Sequence, residues 1–460
     1  MSRYDVIIVG AGPAGIFAGL ELIKEDGARV LILERGADIS ERVCVARERD
    51  RRCSICEPCA ITAGWGGAGA FSDGKLTLTP DIGGWLEEYI GRDELSALIN
   101  FVDGIYVEFG APIHLYGGGT GTIQDIKERA VKAELTLIAG RIRHMGTDRC
   151  ATVLENMRKF AGEHLDVRTK TGVASILVDN GRVEGVVTDD GERIDADHVI
   201  VAPGREGAAW LRAEAAKLGL AQESNAVDIG VRVEVPAAVT EELTDALYES
   251  KLVYVSRTFK DNVRTFCMNP HGVVSPESNG DIVLVNGHSY ANKRTDNTNF
   301  AVLVSTTFTE PFKEPIAYGQ HIARLANLLG GGILVQTLGD LRLGRRSTAS
   351  RIAESTVKPT MAATPGDLSF VLPYRHLVDI KEMLAALDEL APGVNSRNTL
   401  LYGIEVKFYS SRVKLSANLE TEIENLYAVG DGAGVTRGLI QSSCSGVLAA
   451  RSILDKRRTA

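Results

Sequence analysis

The sequence predicts an α/β fold: a three-layer domain on a parallel sheet with an attached β-meander, and a second, α+β domain. Three stretches carry this prediction. Residues 3–35 read as strand, glycine turn, helix and strand. Residues 167–204 read as alternating strands joined by Asn180-Gly181 and Asp190-Gly191, ending in a buried strand from His198 to Ala202. Residues 425–454 read as another short buried strand, a Gly-Asp-Gly turn and a helix lined by small residues.

The first stretch is the most informative. Val6 to Val9 is a short β-branched, apolar run, as expected of a strand buried on both faces. Gly10, Gly12 and Gly15 then form G-x-G-x-x-G, with Pro13 at the first helical position. An apolar segment of helix length runs to about Ile23, Gly27 breaks it, and Arg29 to Leu33 reads as a second strand ending in Glu34. In such a unit Gly10 permits the tight turn, Gly12 removes a side chain that would block a pyrophosphate, and Gly15 lets the helix lie close to the strand. The helix N-terminus holds the phosphates through free N–H groups and its positive dipole end. Glu34 is placed to accept hydrogen bonds from a ribose diol. Pro13, Ala14 and Arg35 flank these positions and complete the candidate dinucleotide contacts at this end.

The two hairpin turns of the second stretch are of the Asn-Gly and Asp-Gly kind that join antiparallel strands. The buried strand that follows ends at Ala202, Pro203 and Gly204. From about 226 to 405 the texture changes. Ala226 to Val235, Lys251 to Val255, Asp281 to Val285 and Phe300 to Thr306 read as strands, and Leu377 to Leu390 has helical spacing. The expected domains are therefore 1–105, 149–225 and 406–460 for dinucleotide binding, and 106–148 with 226–405 for substrate.

Composition bounds the partners. The 460 residues suffice for two or three cores, and 44% hydrophobic with 24% charged residues is ordinary for a globular enzyme. A net charge of −9 argues against nucleic acid or an anionic membrane as the main partner. The longest uncharged apolar run, Val6 to Leu20, is too short to span a bilayer. No cationic leader precedes it, so a cytoplasmic location is expected. Oligomeric state is not legible.

Together, the opening fingerprint, the VIVAPG strand end and the YAVGDGAG ending resemble the three signatures of the glutathione-reductase-like FAD superfamily, in its order. GGAGAFSDGKL, VRTFCMNPHG and GDGAGVTRGL resemble the broad group of FAD-dependent (NAD(FAD)-utilising) dehydrogenases. The resemblance implies FAD, a Rossmann-like FAD-binding domain in three separated pieces, and contacts from Gly69, Ser72, Gly430 and Asp431. Asp431 matches the aspartate of the pyrophosphate–ribityl region, and Val173 the backbone contact to adenine. The helix opening near Gly438, Leu439 and Ile440 would aim its positive end at the flavin pyrimidine. No second dinucleotide fingerprint is present: GGGTG at 117–121 and GGG at 330–332 lack a preceding buried strand. NAD(P)H, if it is the electron donor, would visit the substrate cleft transiently.

Several groups are candidates for chemistry. Cys53, Cys56 and Cys59 form C-x2-C-x2-C with Cys44 upstream, which suits [4Fe–4S] ligation with Cys44 as fourth thiolate. Tetrahedral zinc, a redox disulfide and plain reduced cysteines are open alternatives. Lys75 could serve the flavin or be a turn lysine, His144 could be an acid/base or an ordinary strand residue, and Cys267 a reactive thiol or a core residue. Arg342, Arg345, Arg346 and Arg351 suit an anionic substrate or a solvated face. The expected function is an FAD-dependent oxidoreductase exchanging a hydride or two electrons with a small organic substrate, with an iron–sulfur or cysteine relay beside the flavin and a ferredoxin-type donor in view. The alternatives are a flavin monooxygenase using NAD(P)H and O2, and a flavin-containing RNA-modifying protein.

Overall fold

The computed structural model describes residues 3–25, 27–44, 56–118, 120–223, 225–279, 282–289, 294–308, 314–408 and 412–459. They form two compact units, Met1–His114 with Arg143–Asn225 and Ser410–Ala460, and Leu115–Ile142 with Ala226–Tyr409.

In the first unit the strand Tyr4–Val9 lies at the middle of a parallel sheet. Val30–Leu33 pairs with it on one side and is followed by Asp166–Arg168. The long strand Arg193–Val201 pairs on the other side, and Leu426–Ala428 lies beyond it, also parallel. Arg193–Val201 does two jobs along its length. Its first three residues pair antiparallel with Arg182–Thr188, which carries Val173–Asp179, so the meander grows from the same strand that completes the parallel sheet. Val6, Ile7, Ile8, Leu31 and Ile32 are fully buried, as both-face burial in such a sheet requires. The helix Pro13–Leu22 covers one face and packs tightly on the closing helix Leu439–Thr459. A Cβ on Gly446 would stand 2.0 Å from the Ala14 carbonyl oxygen, so only glycine admits this approach.

The unit boundaries differ from those expected at 105/106 and 148/149. Helix Arg92–Glu108 buries Leu95, Leu98, Ile99, Val102 and Tyr106 in the first unit. The Tyr106 ring lies 4.9 Å from that of Phe17, and its hydroxyl 3.1 Å from Ser443 Oγ. Arg143 donates from Nε and Nη2 to Asp103 at 2.7 Å each, and also to the Pro112 carbonyl. These bonds hold residues on both sides of the excursion to the first unit.

The second unit is built on a mostly antiparallel sheet. Among the described residues its strand order is Thr364–Pro365, Leu334–Thr337, Leu400–Lys407, Val227–Pro236, Asn297–Thr306, Asn262–Asn269, Lys251–Val255 and Leu135–Ile138. One face is apolar: Ile229, Val231, Val233, Phe300, Val302 and Val304 join Ile380, Met383, Leu384 and Leu387 of helix Tyr374–Leu390 in one core. The other face is polar, with Asp228, Arg232, Glu234 and Glu405 buried on it. Strand 282–288 begins one residue after the expected Asp281, which lies outside the described residues. Among the described residues no helix is long and apolar enough to cross a membrane.

Candidate functional site

Three neighbouring parallel strands end at the same edge of the first sheet, and their turns nest. Gly10, at φ +105°, follows the first strand, and a Cβ there would come 2.2 Å from the Ala202 carbonyl oxygen. A Cβ on Gly15 would fall 1.9 Å from the Gly10 oxygen, so the helix Pro13–Leu22 lies hard against its own turn. Gly432, after the strand Leu426–Ala428, would meet the Gly204 oxygen at 2.4 Å, which joins the second and third corners. Gly430 brings its would-be Cβ to 3.1 Å from Ala14 Cβ, joining the third corner to the first.

The same turns leave room where a ligand needs it. A Cβ on Gly12, Gly204 or Gly438 would meet nothing within 4 Å. Gly12 is the N-cap of the first helix, no side chain caps it, and Pro13 occupies the first turn, so the helix presents uncapped amide donors at open space. A cradle at the carboxyl ends of adjacent strands, floored by a helix N-terminus, fits an FAD pyrophosphate.

Glu34 is more engaged than its spacing predicts. Its carboxylate is buried and accepts amides from Ala11 at 2.8 Å, Gly36 at 2.7 Å and Gly64 at 2.8 Å. Three of about four lone-pair sites on the carboxylate are used, which leaves one for a ribose hydroxyl. Val173 comes near this end through the preceding turn, where Thr171 N donates to the Glu34 carbonyl at 2.8 Å. Arg35 points to the surface, 3.6 Å from Glu57 and 4.0 Å from Asp189.

Arg42 was not singled out by sequence reasoning, yet it builds the wall of this site. Its buried guanidinium donates to the carbonyls of Ala60 at 3.1 and 3.0 Å, Ile61 at 2.8 Å, Trp65 at 2.7 Å and Gly67 at 2.8 Å. Burial lowers its pKa to about 10, against the opposing charges of Glu34 and Cys59. The segment it holds lies on the dinucleotide turn: Gly66 N donates to the Ala11 oxygen at 2.8 Å, and a Cβ on Gly67 would stand 3.1 Å from Gly12 Cα. Trp65 is fully buried, its indole N–H donating to the Leu154 oxygen at 2.9 Å. The only signal for this wall was the density of small residues from Gly64 to Phe71.

Gly69 sits in the tight turn Gly67–Phe71, where a Cβ would come 2.8 Å from Leu439 Cδ2. Ser72 Oγ closes that turn onto the Gly69 oxygen at 2.8 Å. The Asp431 carboxylate accepts the Thr436 hydroxyl at 2.9 Å and lies 3.4 Å from the Gly438 amide, within its own turn. Ile440 is buried in the first turn of the closing helix.

Two of the three catalytic candidates come together. Lys75 Nζ stands 2.9 Å from Asp73 Oδ2, with side-chain exposures of only 9% and 18%. His144 feels both: burial lowers its pKa, Asp73 raises it and Lys75 lowers it. Met145 N donates to the Gly74 oxygen and Gly146 N to the Asp73 oxygen, each at 3.0 Å, which pins the two segments. Cys267 belongs to the second unit, at φ +45° where strand register shifts. Its carbonyl accepts Arg232 Nη1 at 2.7 Å and Asn269 Nδ2 at 2.9 Å.

Of the cysteine run, Cys53 lies outside the described residues, while Cys44, Cys56 and Cys59 are free thiols. Among the described residues no three His, Cys, Asp or Glu side chains gather as a metal-holding group. Of the arginine cluster, Arg345 pairs with Asp340 at 2.7 Å and Arg342 donates to the Asn395 oxygen at 3.1 Å, so these two are engaged within the protein.

Comparison with known proteins gives the following. The family model for the FAD-dependent protein, C-terminal domain-like, matches residues 226–408, and that for an FAD binding domain matches residues 3–47. A protein of Clostridium beijerinckii (strain ATCC 51743 / NCIMB 8052), described as uncharacterized, is 30% identical over 481 residues, covering 98% of this chain and 80% of its own length. Among solved structures, a variant of Aspergillus oryzae RIB40 formate oxidase has 14% identity and a TM-score of 0.49 over 100% of this chain and 99% of its own. Glycine oxidase from Geobacillus kaustophilus has 16% identity and a TM-score of 0.41 over 99% of this chain and 95% of its own.

Proposed function

The chain belongs to a family of FAD-dependent oxidoreductases, and on that premise we propose that it exchanges a hydride or two electrons with a small organic substrate. One observation supports this reading most. Gly12 and Gly204, at two of the nested strand-end corners, and Gly438, just before the closing helix, all leave open the space that a Cβ would enter. FAD bound there would supply the two-electron carrier. Glu34 fixes the turn and offers its remaining acceptor site to the ribose, and the uncapped N-terminus at Gly12 takes the pyrophosphate charge.

His144 is the proposed proton-handling group. Burial and the Lys75 charge favour the neutral imidazole, which can accept a proton at a ring nitrogen, and Asp73 stabilises the charged form that results. Cys267 has no assigned role in this reading. The cysteine run from Cys44 to Cys59 enters it as a redox or metal-holding segment, and NAD(P)H or a ferredoxin as the donor.

Anaerobic purification followed by an absorbance spectrum tests the reading, with iron, zinc and acid-labile sulfide assays alongside. The expected result is a flavin spectrum bleached by NADH, NADPH or reduced ferredoxin. Colourless protein that takes up no added FAD would overturn it. A flavin spectrum without iron, zinc or sulfide would remove the metal-holding role of the cysteines and leave the rest standing.

A further inference from the structure

The polar face of the second unit's sheet gathers three cations around one aromatic ring. Lys251 Nζ, Arg264 Cζ and Lys407 Nζ stand 4.9, 5.6 and 5.9 Å from the centroid of Phe266. They come from three different strands, and Lys407 belongs to one that lies three places from that of Phe266 in the sheet order. It can reach because the floor between is low. Ala301 lies opposite Phe266, and Gly230, which has no side chain, lies opposite both Leu303 and Glu405.

Each cation stands on a carboxylate buried beneath it. Arg264 pairs with Asp228, Lys251 with Glu249 at 2.8 Å, and Lys407 with Glu405 at 3.0 Å. The carboxylate side chains are 1%, 4% and 0% exposed, and the cations 37%, 14% and 9%, so the positive member is the outer one in every pair. Glu405 is also clamped by both arms of the fully buried Arg232, at 2.7 and 2.8 Å. Lys407 is therefore a second cation on a carboxylate already paired. The outer carboxylate in reach of Lys407 is Glu277 at 3.8 Å, and it accepts Asn286 Nδ2 at 2.7 Å as well.

Each cation is balanced by the carboxylate beneath it, yet the cation is the outward member of every pair, so the three converge on one partly buried ring as donors that a further anion can take. The ring adds an apolar face for a carbon frame, and forked or point cations suit a carboxylate. We propose that this face binds a small organic carboxylate, its charge held by Lys251, Arg264 and Lys407 and its carbon frame laid against Phe266. The buried Asp228, Glu249 and Glu405 are positioning residues that aim the three cations. The proposal rests on the reading of the chain as an oxidoreductase for small organic molecules, and names the substrate class.

The test is calorimetric titration of the FAD-loaded full chain with acetate, succinate and benzoate, at low and high salt. At least one should bind, more weakly at high salt. Its affinity should fall about tenfold or more in Lys407→Met and in Arg264→Gln, and return in Lys407→Arg. An unchanged flavin spectrum certifies that each variant is folded. Failure of all three carboxylates to bind, or binding indifferent to these substitutions, overturns the proposal. Should the protein hold no FAD, the oxidoreductase reading falls, and the same titration on the FAD-free chain still decides whether the carboxylate site exists.

Discussion

The Glu34 carboxylate accepts the Gly64 amide at 2.8 Å, thirty residues further along the chain. With the bonds from Ala11 and Gly36, one buried side chain ties the dinucleotide turn, the end of the second strand and the small-residue wall together. Glu34→Gln removes one acceptor oxygen and turns an NH2 group toward amide donors. Each buried amide left without a partner costs about 1–3 kcal/mol. The variant should melt lower and hold FAD more loosely, as read by thermal denaturation and FAD titration. Wild-type values in both would show that Glu34 holds nothing together.

Arg42 makes the wall that Glu34 anchors. Arg42→Ala strips donors from four carbonyls and should lower stability by about 2–4 kcal/mol, and Arg42→Lys should recover little, because an ammonium lacks the fork. Limited proteolysis should then cut between residues 56 and 67, where Arg42 binds Ala60, Ile61, Trp65 and Gly67. A lysine variant as stable and as protease-resistant as wild type would contradict this.

In the second unit, Asp379 is fully buried and its carboxyl is pushed up to about 6, by burial first and then by Asp261 and Glu382, against the Ser256 hydroxyl. Asp261 is held low by Arg375, 2.6 Å away. A raised acid stabilises the fold fully below its unfolded pKa, and that contribution is lost as pH rises through the folded value. Buried His376 and His198, lowered to about 4, act with the opposite sign, so the comparison with Asp379→Asn isolates the effect. Between pH 4 and 7 the wild type should lose about 2–3 kcal/mol relative to Asp379→Asn in urea denaturation of the FAD-free protein. Parallel stability curves would contradict it.

Local pattern made the first βαβ unit legible, because its glycines, its buried strand and Glu34 all fall within a few dozen residues. The meander was legible for the same reason, since Asn180-Gly181 and Asp190-Gly191 each state their own turn. The role of Arg42 was not, for its partners lie 18 to 25 residues away and arginine in a polar segment carries no local sign of folding back. The same holds for Lys75 and His144. Each was a lone candidate in sequence, and the pairing of strand Lys75–Leu78 with strand Arg141–His144, continued by the backbone bonds from Met145 and Gly146 to the Asp73–Gly74 turn, brings them together. The cation cluster on Phe266 depends on register across five strands, which the unpaired sequence does not state.

Gly12 and Gly15 test the central claim most directly, because the same substitution should act differently at each. A Cβ at Gly12 meets no protein atom within 4 Å, and φ −78° suits any residue, so Gly12→Ala should leave the melting temperature of the FAD-free protein unchanged. Gly15→Ala should lower it sharply, because its Cβ would lie 1.9 Å from a backbone oxygen. The decisive measurement is FAD titration of Gly12→Ala: affinity about tenfold or more below wild type is predicted for a methyl group standing where the pyrophosphate belongs. An alanine variant that binds FAD as tightly as wild type would place the dinucleotide elsewhere.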